Sequence, residues 1–215
     1  SWQKISPDLT TNDPAKQEQD KTGGLTLDNS AAENHCTIFT ISESRLDENV
    51  IWVGTDDGNV QVTTDGGKTW NNTIKNIRGI PPTTWVSYVE ASRYDKSTAY
   101  VTFDGHRYGD RKAYVYKTTD FGKTWISLTD NNIAAYCHVI KEDLKNPKLL
   151  FLGTESGLYL SIDGGQIWSR FTGNLPKVSV RDMVFQPREN DLVLATHGRG
   201  IYIIDDLTPL QNLTL

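Results

Sequence analysis

Thr63-Thr64-Asp65-Gly66-Gly67-Lys68-Thr69-Trp70 aligns without gaps on Thr118-Thr119-Asp120-Phe121-Gly122-Lys123-Thr124-Trp125 and on Ser161-Ile162-Asp163-Gly164-Gly165-Gln166-Ile167-Trp168. Each octet reads hydroxyl, any, Asp, any, Gly, any, any, Trp. Successive aspartates stand 55 and then 43 positions apart. A broken copy follows after another 43, where Gly200-Ile201-Tyr202-Ile203-Ile204-Asp205-Asp206 overlays Gly157–Asp163. The opening Ser1-Trp2-Gln3-Lys4-Ile5 overlays the Trp end of the motif, as in Thr124-Trp125-Ile126-Ser127-Leu128. The chain thus opens in the second half of one motif and closes in the first half of another. A period near 43 residues marks a stack of similar supersecondary units.

The octet has a physical reading as a turn. Asp followed by Gly between apolar runs signals a hairpin, and the carboxylate accepts backbone N–H groups across it. The recurring Gly67, Gly122 and Gly165 mark a backbone position that needs positive φ. The residue before it is Gly or Phe and reads as less restricted. Trp70, Trp125 and Trp168 return along the next strand and pack over the turn. Asp65, Asp120 and Asp163 with these glycines and tryptophans form a structural set, and no chemistry is required of them.

Upstream of each octet the strand pattern repeats. The first unit predicts strands near Cys36–Ser42, Val50–Gly54, Asn59–Thr63 and Thr69–Ile74. The second predicts Trp85–Ala91, Ala99–Phe103, Ala113–Thr118 and Thr124–Leu128. The third predicts Tyr136–Lys141, Leu149–Gly153, Leu158–Ser161 and Ile167–Phe171, and the fourth Val180–Phe185, Leu192–Ala195 and Ile201–Ile204. No stretch carries a helical period. Four short antiparallel strands per unit predict an all-β chain, a β-propeller of about four blades that is part of a larger propeller. The blades span 35–75, 84–128, 135–171 and 178–206. Residues 1–5 supply a strand completing a blade, 6–34 a long polar loop or linker, and 207–215 an exit segment.

Composition narrows the function classes. The 215 residues are 37% hydrophobic with six Trp and nine Tyr, which suits a globular chain with a core. A net charge of −5 excludes a basic nucleic-acid surface. No run reaches the length of a membrane helix, and the first residues lack the pattern of a signal peptide. Cys36 and Cys137 are too few for a disulfide scaffold and read as small buried residues. His35 and His138 flank them on predicted innermost strands, where packing is favoured over a metal site. No cofactor or metal is expected.

The octets resemble the Asp-box, or BNR, repeat propellers, a group that includes sialidases, the sortilin-type luminal domain, two-propeller xyloglucan hydrolases and a photosystem II assembly factor. Three intact motifs and two half motifs in phase carry the resemblance over nearly the whole chain. Ile51-Trp52-Val53-Gly54-Thr55-Asp56-Asp57-Gly58, Ala195-Thr196-His197-Gly198-Arg199-Gly200 and Asp205-Asp206-Leu207-Thr208-Pro209-Leu210 are similar to a subgroup of large bacterial proteins called sortilin-like or glycosyl-hydrolase-like. The resemblance implies an exported, extracellular or periplasmic parent, with ligands bound on the face opposite the Asp-box turns. Partners are then the remainder of the propeller or another copy of the chain, and a carbohydrate or protein ligand.

That face is formed by loops such as Gly54–Gly58, Asp104–Lys112, Gly153–Gly157 and Ala195–Gly200. Asp104, His106, Arg107, Tyr108 and Arg111 in the second, with His197 and Arg199 in the fourth, are the candidate ligand-binding residues. Arginine pairs carboxylates and tyrosine stacks on sugars. The plain alternative is a solvated, self-paired loop. No residue is assigned a catalytic role, and the favoured reading is a non-catalytic binding or scaffold module. The rival is a xyloglucanase- or sialidase-like glycoside hydrolase, which requires paired carboxylates. Asp56, Asp57, Asp104, Asp110 and Glu155 are available for it, and no spacing singles out a pair. Asn71-Asn72-Thr73 and Asn212-Leu213-Thr214 match the N-glycosylation pattern.

Overall fold

The computed structural model describes residues 2–18, 21, 25–26, 29–30 and 35–213. Ser1, the rest of the Ser6–Asn34 stretch, and Thr214 of the second acceptor tripeptide lie outside the described residues. Strand β1 (Leu25–Thr26) pairs antiparallel with β2 (Asn29–Ser30). Four antiparallel sheets follow, each a meander in chain order. Blade one holds β3 (Ile38–Glu43), β4 (Ile51–Thr55), β5 (Val60–Thr63) and β6 (Asn71–Asn72). Blade two holds β7 (Trp85–Ala91), β8 (Ala99–Asp104), β9 (Tyr114–Thr118) and β10 (Ile126–Ser127). Blade three holds β11 (Cys137–Glu142), β12 (Leu150–Thr154), β13 (Gly157–Ser161) and β14 (Ser169–Arg170). Blade four holds three strands, β15 (Val180–Gln186), β16 (Asp191–Thr196) and β17 (Ile201–Ile204). One short helix, α1 (Thr208–Gln211), follows in a chain that carried no helical signal.

The inner strands pack in series, β3 on β7, β7 on β11 and β11 on β15. Among the described residues β15 makes no comparable contact back to β3, so the blades form an open arc, a partial β-propeller. Burial reports the same arrangement. Strands β8 and β12 are buried at every position because a blade lies on each face, and β5 because blade two covers one face and the Leu9 segment the other, whereas β17 alternates between exposed and half-buried. Ile41 on β3 and Val184, Ile201 and Ile203 in blade four are exposed on the two flanks of the arc. Three apolar cores fill the spaces between blades, one built around Trp52 and Phe103, one around Trp168 and Leu152, one around Phe151 and Leu194. Small inner-strand hydroxyls stitch neighbours together. Thr40 Oγ1 and Ser42 Oγ accept from the backbone N–H of Val89 and Ala91, and Ser87 Oγ donates to the Cys137 carbonyl.

Each octet closes the turn between third and fourth strands. The Thr63 hydroxyl donates to Asp65 Oδ1 at 2.8 Å and accepts from Gly67 N at 2.9 Å. Asp65 also accepts from Thr69 N and Thr69 Oγ1. The same bonds recur at Thr118, Asp120 and Thr124, and at Ser161, Asp163 and Ile167 N. Both residues after the Asp are left-handed. Phe121 adopts φ 58° beside Gly122 at 78°, which corrects the expectation of a less restricted site. The fourth strands shrink to two paired residues where five or six were expected, since the tight turn consumes Thr69, Thr124 and Ile167. The expected start of the first inner strand also moves. Cys36 sits half-exposed in a turn at φ 67° and the strand begins at Ile38, so His35 lies off the inner strand and the buried reading holds for Cys137 alone.

Asp65 is held at about 2, below its ordinary 3.8, first by the Thr69 hydroxyl, then by Thr69 N and Thr63 Oγ1. A depressed carboxyl stabilises the turn above its unfolded value, and that stabilisation is lost as pH falls through the folded value. The Asp65 carboxyl resonance is therefore expected to titrate near 2, and Thr69→Ala to move the midpoint upward. An unmoved midpoint would exclude the hydroxyl as the cause.

Residues before the first blade are ordered where described. Leu9 is buried and its carbonyl accepts from Asn59 Nδ2 and Gln61 Nε2, while Thr11 donates through N and Oγ1 to buried Asp57. Trp2–Ile5 joins no sheet. Its Ile5 carbonyl accepts from Trp70 Nε1 at 3.2 Å, just as the Leu128 carbonyl accepts from Trp168 Nε1 at 2.8 Å. Ile5 and Leu128 both stand three residues after a motif tryptophan and lie against the glycine of the next turn, Gly67 and Gly165.

Candidate functional site

Every pairing of inner with second strand carries a bulge at the same place, between Ile38 and Thr40, Val86 and Tyr88, Cys137 and Val139, Val180 and Asp182. An extra residue in one strand bends it and re-aims a side chain. The four extra residues, Phe39, Ser87, His138 and Arg181, all line one cleft of about 500 Å³ at the end of the strands opposite the octet turns. Its walls include Trp85, Tyr88, Asp104, His106, Arg107 and Asp182. Phe39 stays 48% exposed and meets Trp85 edge-on at 4.5 Å, and the Arg107 guanidinium lies 3.9 Å from the Trp85 ring centroid. One aromatic platform therefore carries a cation on it.

Asp104 anchors the polar side of the cleft. It ends β8, is buried, and receives His106 through backbone N at 2.9 Å and Nδ1 at 2.7 Å. Its other oxygen lies 3.7 Å from His138 Nδ1. His138 Nε2 reaches Glu155 at 3.0 Å and Ser179 Oγ at 3.3 Å, and Glu155 pairs with Arg181 at 3.3 Å. Tyr136 stacks on His106 and meets His138 edge-on. Burial and the Arg181 charge push His138 below its ordinary value despite the two carboxylates, which keeps the ring neutral at pH 7. Burial raises Glu155, but the bonds from His138 and Ser179 and the Arg181 charge outweigh it and hold it low. The chain of contacts ties blades two, three and four at the cleft rim.

Of the seven candidate binding residues, Asp104, His106 and Arg107 line this cleft. Tyr108 is exposed beside them under Lys16, and Arg111 faces a separate shallow groove with Asp110 and Lys112. His197 and Arg199 are exposed in the β16–β17 turn, which also holds the left-handed Gly198 and Gly200. Phe39, Trp85, Ser87 and Arg181 stand in strands and not in the loops that carry the candidate residues, and His138, expected only to pack on an inner strand, joins them in the cleft. Aligning Ile38-Phe39-Thr40, Val86-Ser87-Tyr88, Cys137-His138-Val139 and Val180-Arg181-Asp182 is the signal that finds them. The remaining acids are engaged within the fold. Asp56 accepts from Thr37 N, Asp57 from Thr11 and Thr55, and Asp110 from Tyr114. Among the described residues no group of three His, Cys, Asp or Glu side chains is placed to hold a metal ion, and both cysteines are free thiols.

No protein-family model matches the chain, and no curated protein matches it. Solved propellers do. The structure described as YCF48 bound to D1 peptide aligns with a TM-score of 0.57 at 18% identity, over 78% of this chain and 51% of that one. The GH74 enzyme of Niastella koreensis aligns with a TM-score of 0.60 at 12% identity, over 84% of this chain and 30% of that one. The GH74 xyloglucanase of Xanthomonas campestris gives 0.60 at 13%, over 81% and 29%. The chain thus spans about half of the YCF48 structure and less than a third of these two enzymes. At such identities the likeness establishes the fold. This chain is a partial β-propeller, similar in architecture both to a peptide-binding protein and to glycoside hydrolases.

Proposed function

We propose that the chain is an Asp-box propeller segment of a larger, exported, sortilin-like bacterial protein, and that it binds a ligand without turning it over. The ligand, a carbohydrate or a peptide, sits in the axial cleft on the Phe39–Trp85 platform, with His106, Arg107 and Arg181 as polar contacts. Tyr108, Arg111, His197 and Arg199 then belong to the outer rim of that face. The blades at 35–75, 84–128, 135–171 and 178–206 are its units, and further blades of the parent or another copy cover the flanks.

One observation carries the binding reading. The buried carboxylate of the cleft, Asp104, has one oxygen bound by His106 and the other facing His138, which leaves it poorly placed as an acid or base. The hydrolase reading is supported by Asp182, which shares the cleft with Asp104 and the aromatics. A panel of soluble polysaccharides and peptides tests both. Retention of one of them is expected, weakened about tenfold or more by Trp85→Ala, with no reducing ends released. Release of reducing ends that Asp182→Asn abolishes would overturn the binding reading in favour of hydrolysis.

A further inference from the structure

The tryptophans of the three octets are not held alike. Trp70 Nε1 donates to the Ile5 carbonyl and Trp168 Nε1 to the Leu128 carbonyl, in each case the residue three after the preceding motif tryptophan. The equivalent acceptor for Trp125 is the Thr73 carbonyl. A 3-10 turn over Ile74–Asn76 has taken it, because Asn76 N donates to Thr73 O at 2.9 Å. Asn76 Nδ2 instead donates to the Gly122 carbonyl at 2.8 Å. Trp125 Nε1 is left without a partner, and the ring packs edge-on against Trp52 at 5.9 Å.

The same 3-10 turn opens a cleft of about 520 Å³ beside the untethered indole. Three cations line it, Lys75, Arg78 and Lys123, together with Tyr116 and Trp125, and no carboxylate does. All three cations are exposed, and none pairs with an acid among the described residues. Asp120, the nearest acid in sequence, does not line the cleft and accepts from Thr118 and Thr124. In a chain of net charge −5, three unpaired cations around one polar cleft form a local positive field.

We infer that this cleft between the first two blades, at the octet end of the strands, is a second binding site, for an acidic saccharide. Lys75, Arg78 and Lys123 engage its carboxylate or sulfate groups, and the Trp125 face receives a sugar ring. The site is distinct from the axial cleft, and neither reading depends on the other.

Affinity electrophoresis through polygalacturonate, dextran sulfate and neutral dextran tests it, using the whole chain. Retardation is expected on polygalacturonate or dextran sulfate, the carboxylate and sulfate arms, and none on dextran. The triple variant Lys75→Gln, Arg78→Gln, Lys123→Gln is expected to lose about tenfold or more in affinity. A control triple at exposed positions elsewhere, Lys145→Gln, Lys148→Gln, Lys177→Gln, removes the same charge and is expected to retain binding. Trp125→Phe, checked for an unchanged melting temperature, is expected to weaken binding by a smaller factor. Equal retardation on dextran, no retardation on either acidic polymer, or an equal loss in the control triple would each overturn the assignment. Because Trp85→Ala leaves this cleft untouched, failure here and failure of the axial site are read separately.

Discussion

Trp168→Ala is expected to cost about 3–5 kcal/mol of folding stability, against far less for Trp70→Ala. Trp168 is 1% exposed, fills the core between blades two and three, and donates to the Leu128 carbonyl. Trp70 holds the same motif position but is only half-buried. Its turn rests on Ile5, in a segment belonging to no sheet. Urea denaturation of the two variants separates them through their midpoints. Equal losses would mean that the turn itself, and not the space between blades, sets the contribution of the indole.

Glu142→Ala is expected to cost about 3 kcal/mol or more, although among the described residues no cation pairs with this carboxylate. Glu142 ends β11, is 2% exposed, and accepts from Ser92 Oγ, Arg93 N and Tyr100 OH of blade two. Alanine leaves three donors without this acceptor, two of them in buried residues, Ser92 and Tyr100. Tyr100→Phe alone removes one bond, and in the Glu142→Ala background it removes an orphan. The double variant is therefore expected to be less destabilised than the sum of the singles, a coupling read from a double-mutant cycle. Strict additivity would show that water replaces the carboxylate, and that the three donors do not act as a unit.

The repeat was legible because the octet is a closed hydrogen-bonded object. A hydroxyl, a carboxylate and a left-handed glycine at fixed spacing specify the turn whatever surrounds it. The turn then fixes which runs are strands. Fourth strands came out shorter than expected, since nothing in Thr69–Ile74 tells how much of it the turn itself absorbs. The candidate site was legible in part. Asp104, His106 and Arg107 stand in a loop dense with charge, which sequence reading favours. Phe39, His138 and Arg181 stand inside strands, where a strict alternation assigns each a sheet face and hides the extra residue. The difference of Trp125 from Trp70 and Trp168 was also hidden, because it arises at Ile74–Asn76, outside the motif.

The displaced inner-strand residues have one more consequence. Because the ladder skips them, a substitution at Phe39, Ser87, His138 or Arg181 alters the cleft wall while the flanking strand register stays in place. Each blade contributes one wall position to a shared chamber, and three of them, Ser87, His138 and Arg181, also carry contacts that hold the wall together. The chemistry of the cleft wall is accordingly set at positions the strand ladder skips, on a scaffold whose turns are specified elsewhere, in the octets.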